Sequence, residues 1–317
     1  MSETFPPVTV VIPARPGQTE VNAVTASRQL DYPTDCLEII VARGNQPSVQ
    51  RNAALREARG ELIYFLDDDS VPLPGKLRRA VLHFGRPEVQ MIGGPALCPP
   101  ESPPLERVFA LVMGSRLAFF SSRARYQAVG RLRETGEKEL ILCNLLARRS
   151  TLVEAGGFDE ALYPNEENAL MDAVQSQGGR LLYDPELIVY RRPRRSLRDF
   201  VKMLVTYGRG RAEQYRLHPT TGSALNFAPP LFCVYLVLTP ALPAWCLWPW
   251  LGYALALMGQ GIVLKNEPAV LKVYAVPLIF VSHLFYGFGF WRGLFTKLER
   301  SGHPTSGNVL LERVKGF

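Results

Sequence analysis

The chain has 317 residues, of which 47% are hydrophobic and 21% are charged, a composition that excludes a disordered or low-complexity protein. Its 36 Lys and Arg against 29 Asp and Glu leave a net charge of +7, which favours an anionic partner: a nucleotide, a nucleic acid or an anionic lipid. The five cysteines are scattered without paired spacing, which argues against a zinc site or a disulfide framework and for a reducing compartment.

The first third of the chain alternates between strand and helix patterns. Apolar runs rich in strand formers lie at 8–12, 37–42, 61–66 and 89–92, and segments compatible with helices lie at 19–30, 48–59 and 75–85. Ser48 is the expected N-cap of the second helix. Strands that alternate with helices predict a parallel, doubly wound α/β sheet.

The next part of the chain is less regular. The sequence predicts a helix at 105–120, a basic and mobile loop at 121–135, a strand at 140–146 and a helix that ends at the Gly-Gly pair 156–157. Asn165 is expected to cap a helix that runs to Gln177. Two short strands, at 180–183 and 188–190, complete this part.

Three consecutive carboxylates, Asp67, Asp68 and Asp69, follow the apolar run 61–66 directly. Ligands of open α/β sheets bind at the carboxyl ends of such strands. Adjacent acids repel one another unless a cation neutralises them, and a hard divalent ion shared with substrate phosphates can do so. A solvated acidic turn is the alternative interpretation of these residues.

The last third is strongly apolar. Residues 196–222 begin with a basic amphipathic helix suited to an anionic membrane surface, or to packing on its own domain. Residues 224–264 contain no charged side chain, which is enough for two membrane spans, and 273–291 offers a third. Three spans would place the basic tail 296–317 outside the cell, against the preference of basic segments for the cytoplasm, so the number of spans stays open.

Several segments resemble family 2 glycosyltransferases, which have the GT-A fold, and particularly the membrane-anchored bacterial enzymes of exopolysaccharide or O-antigen assembly. The resemblance covers roughly residues 8–215 and depends on five short motifs in the family's order. These are VTVVIPAR at 8–15, SVQRNAAL at 48–55, the DXD motif within 60–70, GGFDE at 156–160 and NEEN at 165–168.

The resemblance implies a role for each matching residue. Asp69 corresponds to the direct metal ligand and Asp67 to the partner nearer the ribose and diphosphate, with Asp68 as the variable middle position. Glu167 corresponds to the catalytic base, with Glu166 beside it. The nucleotide-binding positions implied by the family are Pro13, Ala14, Arg15, Arg51, Asp67 and Asp68.

Each of these residues also has a plainer interpretation. Arg15 and Arg51 could be solvated surface charges, because arginines are mostly exposed. Glu166 and Glu167 lie in the predicted first turn of a helix, where the helix dipole favours acids in any protein.

The chain departs from the family pattern in two places. The second strand usually ends in an Asp that reads the base, whereas here it ends Val41-Ala42-Arg43-Gly44-Asn45. A UDP-sugar is the favoured donor, but the missing acid leaves the base open. The Gln-x-x-Arg-Trp motif of processive synthases is also absent, which predicts a single transfer per encounter.

Together these features predict a GT-A, Rossmann-like α/β domain with a mostly parallel sheet (1–195), an amphipathic interface segment (196–222), two or three transmembrane helices (223–295) and a basic tail (296–317). The expected activity is an inverting glycosyl transfer, dependent on Mg²⁺ or Mn²⁺, from a nucleotide-sugar donor to a lipid-linked sugar. We expect it at the bacterial inner membrane, in contact with lipids and without nucleic acid. The N-terminus lacks a signal-peptide pattern, which favours a cytoplasmic catalytic domain. Alternatives are a polyprenyl-phosphate acceptor, a small transporter and an RNA-binding membrane protein.

Overall fold

A central eight-stranded sheet organises the computed structural model, which describes residues 5–162, 164–217, 219, 225–264, 267–297 and 309–317. The strands are β1 (Val8–Ala14), β2 (Leu37–Arg43), β3 (Leu62–Phe65), β4 (Val71–Pro72), β5 (Val89–Gly93), β6 (Ala96–Leu97), β7 (Arg133–Thr135), β8 (Leu145–Arg148), β9 (Arg180–Tyr183), β10 (Val189–Tyr190) and β11 (Leu310–Lys315). The large sheet has the order β11-β2-β1-β3-β8-β5-β9-β7, and β4, β10 and β6 form a second, small sheet. The α/β fold class is confirmed.

Helices cover both faces of the large sheet and extend beyond it. They are α1 (Asn22–Arg28), α2 (Pro47–Glu57), α3 (Lys76–Leu82), α4 (Pro104–Met113), α5 (Arg116–Phe119), α6 (Arg149–Glu154), α7 (Glu166–Ser176), α8 (Leu197–Leu217), α9 (Ala228–Leu238), α10 (Trp248–Val263) and α11 (Ala269–Phe295). Two apolar clusters lie on opposite sides of the sheet, one including Val10 and Ile39, the other Val11 and Ile40. Alternate residues of each strand therefore enter different cores.

The sheet is mixed, because strand direction depends on pairing partners that are distant in sequence. β1 runs parallel to β2 and β3, and β5 runs parallel to β9. The strand predicted at 140–146 begins only at Leu145 and runs antiparallel to both β3 and β5. The other two pairings, β11 with β2 and β7 with β9, are also antiparallel.

Several local expectations were wrong. Ser48 is not an N-cap, because Gln46 holds that position and Pro47 begins α2, where its missing N–H costs no hydrogen bond. The helix expected at 105–120 is interrupted at Gly114 and Ser115, and Ser115 caps α5. The segment 121–135 is not an open loop, since it contains β7 and a buried Arg125.

Apolar helices form a third cluster beside the sheet domain. Phe109 of α4 stacks on Phe200 of α8 with ring centroids 4.3 Å apart, and Ile279 of α11 is buried with them. Within the described residues, two helical segments are long and apolar enough to cross a membrane, Ala244–Val263 and Ala269–Phe295, and Leu225–Ala241 is a shorter apolar helix.

The end of the chain returns to the sheet domain. Residues 298–308 of the predicted tail lie outside the described residues, but Leu310–Lys315 forms β11 at the edge of the large sheet. Arg313 Nε lies 2.9 Å from Glu38 Oε1, at ion-pair distance although not in hydrogen-bond geometry. Glu38 is fully buried and its other oxygen accepts from Thr9 Oγ1 at 2.6 Å. The tail therefore supplies the counter-charge of a buried carboxylate.

Replacing Arg313 with Ala should lower the free energy of unfolding by about 1–3 kcal/mol, because it leaves the buried Glu38 carboxylate without its partner. Chemical denaturation followed by circular dichroism measures this change. Lys315→Ala removes the same charge from the same strand but not from Glu38, so it should cost less than about 0.5 kcal/mol. Equal stability of the two variants would contradict the pairing.

Candidate active site

The three aspartates lie at the carboxyl end of β3, where two arginines meet them. Arg51 Nη2 contacts Asp67 Oδ1 at 3.1 Å, and Arg191 Nη2 contacts Asp67 Oδ2 at 3.0 Å. Arg191 Nε also donates to Asp69 Oδ1 at 2.7 Å. Burial alone would raise the pKa of Asp67, but Arg191 and Arg51 outweigh it and hold that pKa below its ordinary value. Asp67 is therefore ionised and held from two sides.

The small sheet explains why Arg191 reaches the aspartates. β4 begins directly after Ser70, and its Val71 pairs with Tyr190 in the antiparallel strand β10. The residue after Tyr190 is thereby placed beside the end of the acidic run. The Asp67 N–H donates to Ser70 Oγ at 3.2 Å, which tightens the turn that presents the carboxylates.

Arg51 joins the aspartates to the first turn of α7. Its Nη1 donates to Glu166 Oε1 at 2.9 Å, and the two side chains are only 6% and 4% exposed. Glu166 Oε2 is buried without a hydrogen-bond partner. Burial and the neighbouring Glu167 raise the pKa of Glu166 to about 7, against the opposing effect of Arg51. This carboxyl can therefore change its protonation near neutral pH.

Glu167 is half-buried on the next position of the same turn. Its charge, together with that of Glu137, helps to raise the pKa of Arg211 on α8, although burial opposes the rise. Arg211 Nη1 lies 3.2 Å from Glu137 Oε1. The predicted base thus lies where α7 meets α8, on the side of the site that leads towards the apolar helices.

The start of α7 has an unusual backbone. Asn165 takes the N-cap position with φ of +97°, and its side chain does not cap the helix as predicted. Its Oδ1 instead accepts from Asn168 Nδ2 at 2.7 Å, and Asn168 Oδ1 accepts from the buried Arg125 at 2.5 Å. Gly210 of α8 passes so close that a Cβ there would lie 2.7 Å from Pro164 O. The left-handed turn and the glycine let α7 and α8 approach each other next to Glu167, the predicted base.

The first loop reaches the acidic run through a residue that the sequence analysis did not single out. Pro13 and Ala14 are buried at the end of β1, and Arg15 is exposed just beyond them. Gln18 Nε2 donates to Asp68 Oδ2 at 2.8 Å. Arg43, at the end of β2, donates to Gln18 O at 2.6 Å and to Glu312 of β11. An arginine therefore occupies the position where the family pattern has an Asp.

These residues fit a divalent cation only if substrate phosphates supply further ligands. No cluster of three or more His, Cys, Asp and Glu side chains within the described ranges is arranged to hold a metal ion. The oxygen-only pair Asp67 and Asp69 suits a hard cation that is also held by substrate phosphates. Asp67 and Asp69 are the residues that would hold such an ion, and the positive charge that now lies between them is the guanidinium of Arg191.

The structure brings most of the candidate residues together. Arg51, Asp67, Asp69 and Glu166 form one connected charge network, with Asp68 and Glu167 at its borders. The structure gives Arg15 a backbone contact, from its N–H to Gln18 Oε1 at 3.3 Å. Arg191 was not among the predicted site residues, and the usable signal in the sequence was its position directly after the predicted strand 188–190.

Replacing Glu166 with Gln should change how stability depends on pH. The pKa of Glu166 rises from 4.5 in the unfolded chain to about 7 in the fold, so the folded state holds this proton more tightly. That stabilisation is complete below the unfolded pKa and is lost as the pH rises through the folded pKa. Between about pH 5 and 8 the melting temperature of the parent protein should fall by a few degrees relative to E166Q.

Differential scanning calorimetry over this pH range measures the effect. Glu154→Gln changes an exposed glutamate at the end of α6 and should keep the parent pH dependence. An E166Q variant with the same pH dependence as the parent would show that Glu166 does not carry the raised pKa.

Comparison with known proteins agrees with this geometry. Residues 26–150 match the family model described as glycosyl transferase family 2. The pre-mycofactocin glycosyltransferases of Mycobacterium tuberculosis strains CDC 1551 / Oshkosh and ATCC 25618 / H37Rv are each 27% identical to the chain over 184 residues. These alignments cover 55% of the chain but only 36% of each relative, so the chain spans about a third of their length.

A solved structure supports the fold over most of the chain. The mannosyltransferase PcManGT from Pyrobaculum calidifontis, in complex with GDP-Man and Mn²⁺, superposes with a TM-score of 0.56. The superposition covers 92% of this chain and 88% of that one, at 15% sequence identity. Motif order, family match and fold agree: residues 26–150 are similar to family 2 glycosyl transferases, and the chain as a whole has the GT-A fold.

Proposed function

We propose that the protein is an inverting glycosyltransferase that moves one sugar from a nucleotide-sugar donor to a lipid-linked sugar. The observation that carries the proposal is the network of Asp67, Asp69, Arg51 and Glu166 at the carboxyl end of β3. It combines oxygen ligands, two guanidinium groups and a carboxyl that titrates near pH 7. Such a set suits the binding and departure of a diphosphate.

Asp67 and Asp69 would hold Mg²⁺ or Mn²⁺ together with the donor diphosphate. When bound, the metal ion offsets the negative charge that develops on the leaving diphosphate. Arg51 keeps Asp67 ionised and anchors α7 through Glu166. Arg191 must leave the carboxylates for a cation to enter, and its guanidinium then lies within reach of the diphosphate.

Glu167 is the proposed base. It takes the proton from the acceptor hydroxyl as the oxygen forms its bond to the sugar carbon and the bond to the diphosphate breaks. Glu166 cannot take this role while Oε1 is bound to Arg51 and Oε2 is buried. A half-buried carboxylate beside α8 is reachable by an acceptor that approaches from the apolar helices.

The nucleotide base of the donor and the class of acceptor are inferred from the side chains and helices near the site. Arg43 presents hydrogen-bond donors where the family pattern has an acceptor, so guanosine and uridine diphosphate sugars both belong in the test. The Pyrobaculum enzyme, solved with GDP-Man and Mn²⁺, supports including the guanosine donor and manganese. The acceptor is proposed to be lipid-linked and the protein to lie at the bacterial inner membrane, with its catalytic domain in the cytoplasm. The two helices that are long and apolar enough to cross a membrane support the membrane association.

A thermal-shift screen tests the proposal. A saturating nucleotide sugar with Mn²⁺ should raise the melting temperature by a few degrees, because ligand at 100 times its Kd stabilises by about 2.7 kcal/mol. Asp69→Asn should lose the metal-dependent part of the shift, whereas Asp31→Asn, an exposed residue paired with Arg78, should keep it.

No shift with any nucleotide sugar would reject the function, and a full metal-dependent shift in D69N would reject the metal site. An RNA oligonucleotide that displaces the nucleotide sugar would favour the nucleic-acid alternative.

A further inference from the structure

The longest apolar helix, α11, is buried along one face from its first turn to its last. In its first half the buried positions recur every three or four residues, and in its second half they are mostly glycines. They are Leu271, Ala275, Ile279, Ser282, Gly287, Gly289, Phe290 and Gly293. A helix that crossed a bilayer would extend away from the domain, and it would be buried against the domain at one end only. The stripe instead shows that neighbouring helices of the protein cover one face of α11 along its whole length, while its other face is exposed.

The first half of α11 is fixed to α4 and α5. Arg107 of α4 forms an ion pair with Glu267, just before α11 begins. Leu271 is buried in the same cluster as Val108. Near the middle of α11, His283 Nε2 lies 2.9 Å from the carbonyl oxygen of Leu117.

The second half of α11 is fixed to α8 through glycines. A Cβ at Gly208 would lie 2.1 Å from Tyr286 O, and one at Gly289 would lie 2.2 Å from Val205 O. The backbones are therefore in contact, with no room for lipid between them. At the end, Arg216 Nη1 donates to Gly293 O at 3.0 Å and to Thr296 O at 2.6 Å.

α8 itself cannot lie in hydrocarbon. It carries seven charged side chains: Arg198, Asp199, Lys202, Arg209, Arg211, Glu213 and Arg216. Arg211 pairs with Glu137, and Gly210 contacts the start of α7, so α8 belongs to the catalytic domain. Because α11 lies along α8, its axis follows the surface of that domain.

The chain leaves the apolar region on the side where it entered. α8 precedes the region and packs on the domain, and β11 follows it and pairs with β2. An odd number of membrane crossings between α8 and β11 would put β11 and β2 on opposite sides of the bilayer. The pairing of β11 with β2 therefore excludes an odd number of crossings. This resolves the conflict between three spans and the basic tail.

α9 and α10 form the outer layer. Only Pro230 of these two described helices is buried, whereas Ile262 is 82% exposed and Val237 78%, and Trp245 in the connection between them is 72% exposed. Neither helix contains an Asp, Glu, Lys or Arg, which a soluble partner's polar rim would require, and the tryptophans between them suit a lipid interface. A bilayer is therefore the occupant that this surface fits.

We propose that α9 and α10 are the helices that enter the bilayer and that α11 lies parallel to the membrane plane, with its buried face towards the catalytic domain. This inference rests on the membrane association in the proposed function. It places the acceptor-facing side of α7 and α8 at a constant, short distance from the lipid surface.

Depth measurements on the full chain in phosphatidylcholine–phosphatidylglycerol nanodiscs test the proposal. Single cysteines at Val270 and Phe288 are spin-labelled in a background where Cys36, Cys98, Cys233 and Cys246 are Ala and the buried Cys143 is kept. Both positions are exposed, and five helical turns separate them on the same face of α11. Relative accessibility to oxygen and to a nickel chelate reports the depth of each label.

An in-plane helix predicts nearly equal depths, whereas a spanning helix predicts a difference of about 27 Å. A label at Leu82, exposed on α3, should report water and serves as the control. Stable insertion with a difference near 27 Å would overturn this inference and leave the proposed function standing. Failure of the protein to float with vesicles of the same lipids would reject both.

Discussion

The site depends on one carboxylate, Asp67, that is held between two guanidinium groups. Arg51 approaches it from α2 and Arg191 from the end of β10, and Arg51 continues to Glu166 on α7. Four separate elements are thereby fixed around one charge. Buried ions are expensive to desolvate, and removing one partner of such a pair typically costs 3–5 kcal/mol. The arrangement is therefore maintained as a whole, and a change at any member should be felt at the others.

The same network connects the chemistry to the apolar helices. Glu167 follows Glu166 directly, and Arg211 carries the electrostatic contact from α7 to α8. Close glycine contacts then join α8 to α11, and α11 in turn contacts α9 and α10. No long loop intervenes between the proposed base and the proposed lipid surface. This rigidity suits an acceptor whose sugar is presented from a membrane.

The sequence predicted what local patterns determine. The apolar runs of β1, β2 and β3 are short, rich in strand formers and followed by turn residues, so their positions and the acidic edge after β3 could be found. The side chains that contact Asp67 were harder to predict from the sequence. Arg51 was found only through family resemblance, and Arg191 was missed because the pairing of β4 with β10 joins residues far apart in sequence.

The apolar helices show a different limit of prediction from sequence. Length and composition identified segments that could cross a membrane, but they cannot tell a spanning helix from one that is covered on a single face. The glycines of α8 and α11 and the return of β11 to β2 decide this, and both are long-range contacts. Asn165 illustrates the same point at one residue, since its cap position was predicted but its left-handed backbone and its bond to Asn168 were not.

The central claim is that Asp67 and Asp69 form a cation site in which the Arg191 guanidinium holds the place of a metal ion. Electron paramagnetic resonance of free Mn²⁺ measures this directly by titration without a nucleotide. Arg191→Ala should bind Mn²⁺ about tenfold more tightly than the parent protein, because the competing cation is gone. Arg192→Ala, whose side chain pairs with Glu106 instead, should leave Mn²⁺ affinity unchanged. Equal Mn²⁺ affinity in the parent and Arg191→Ala proteins would contradict the account.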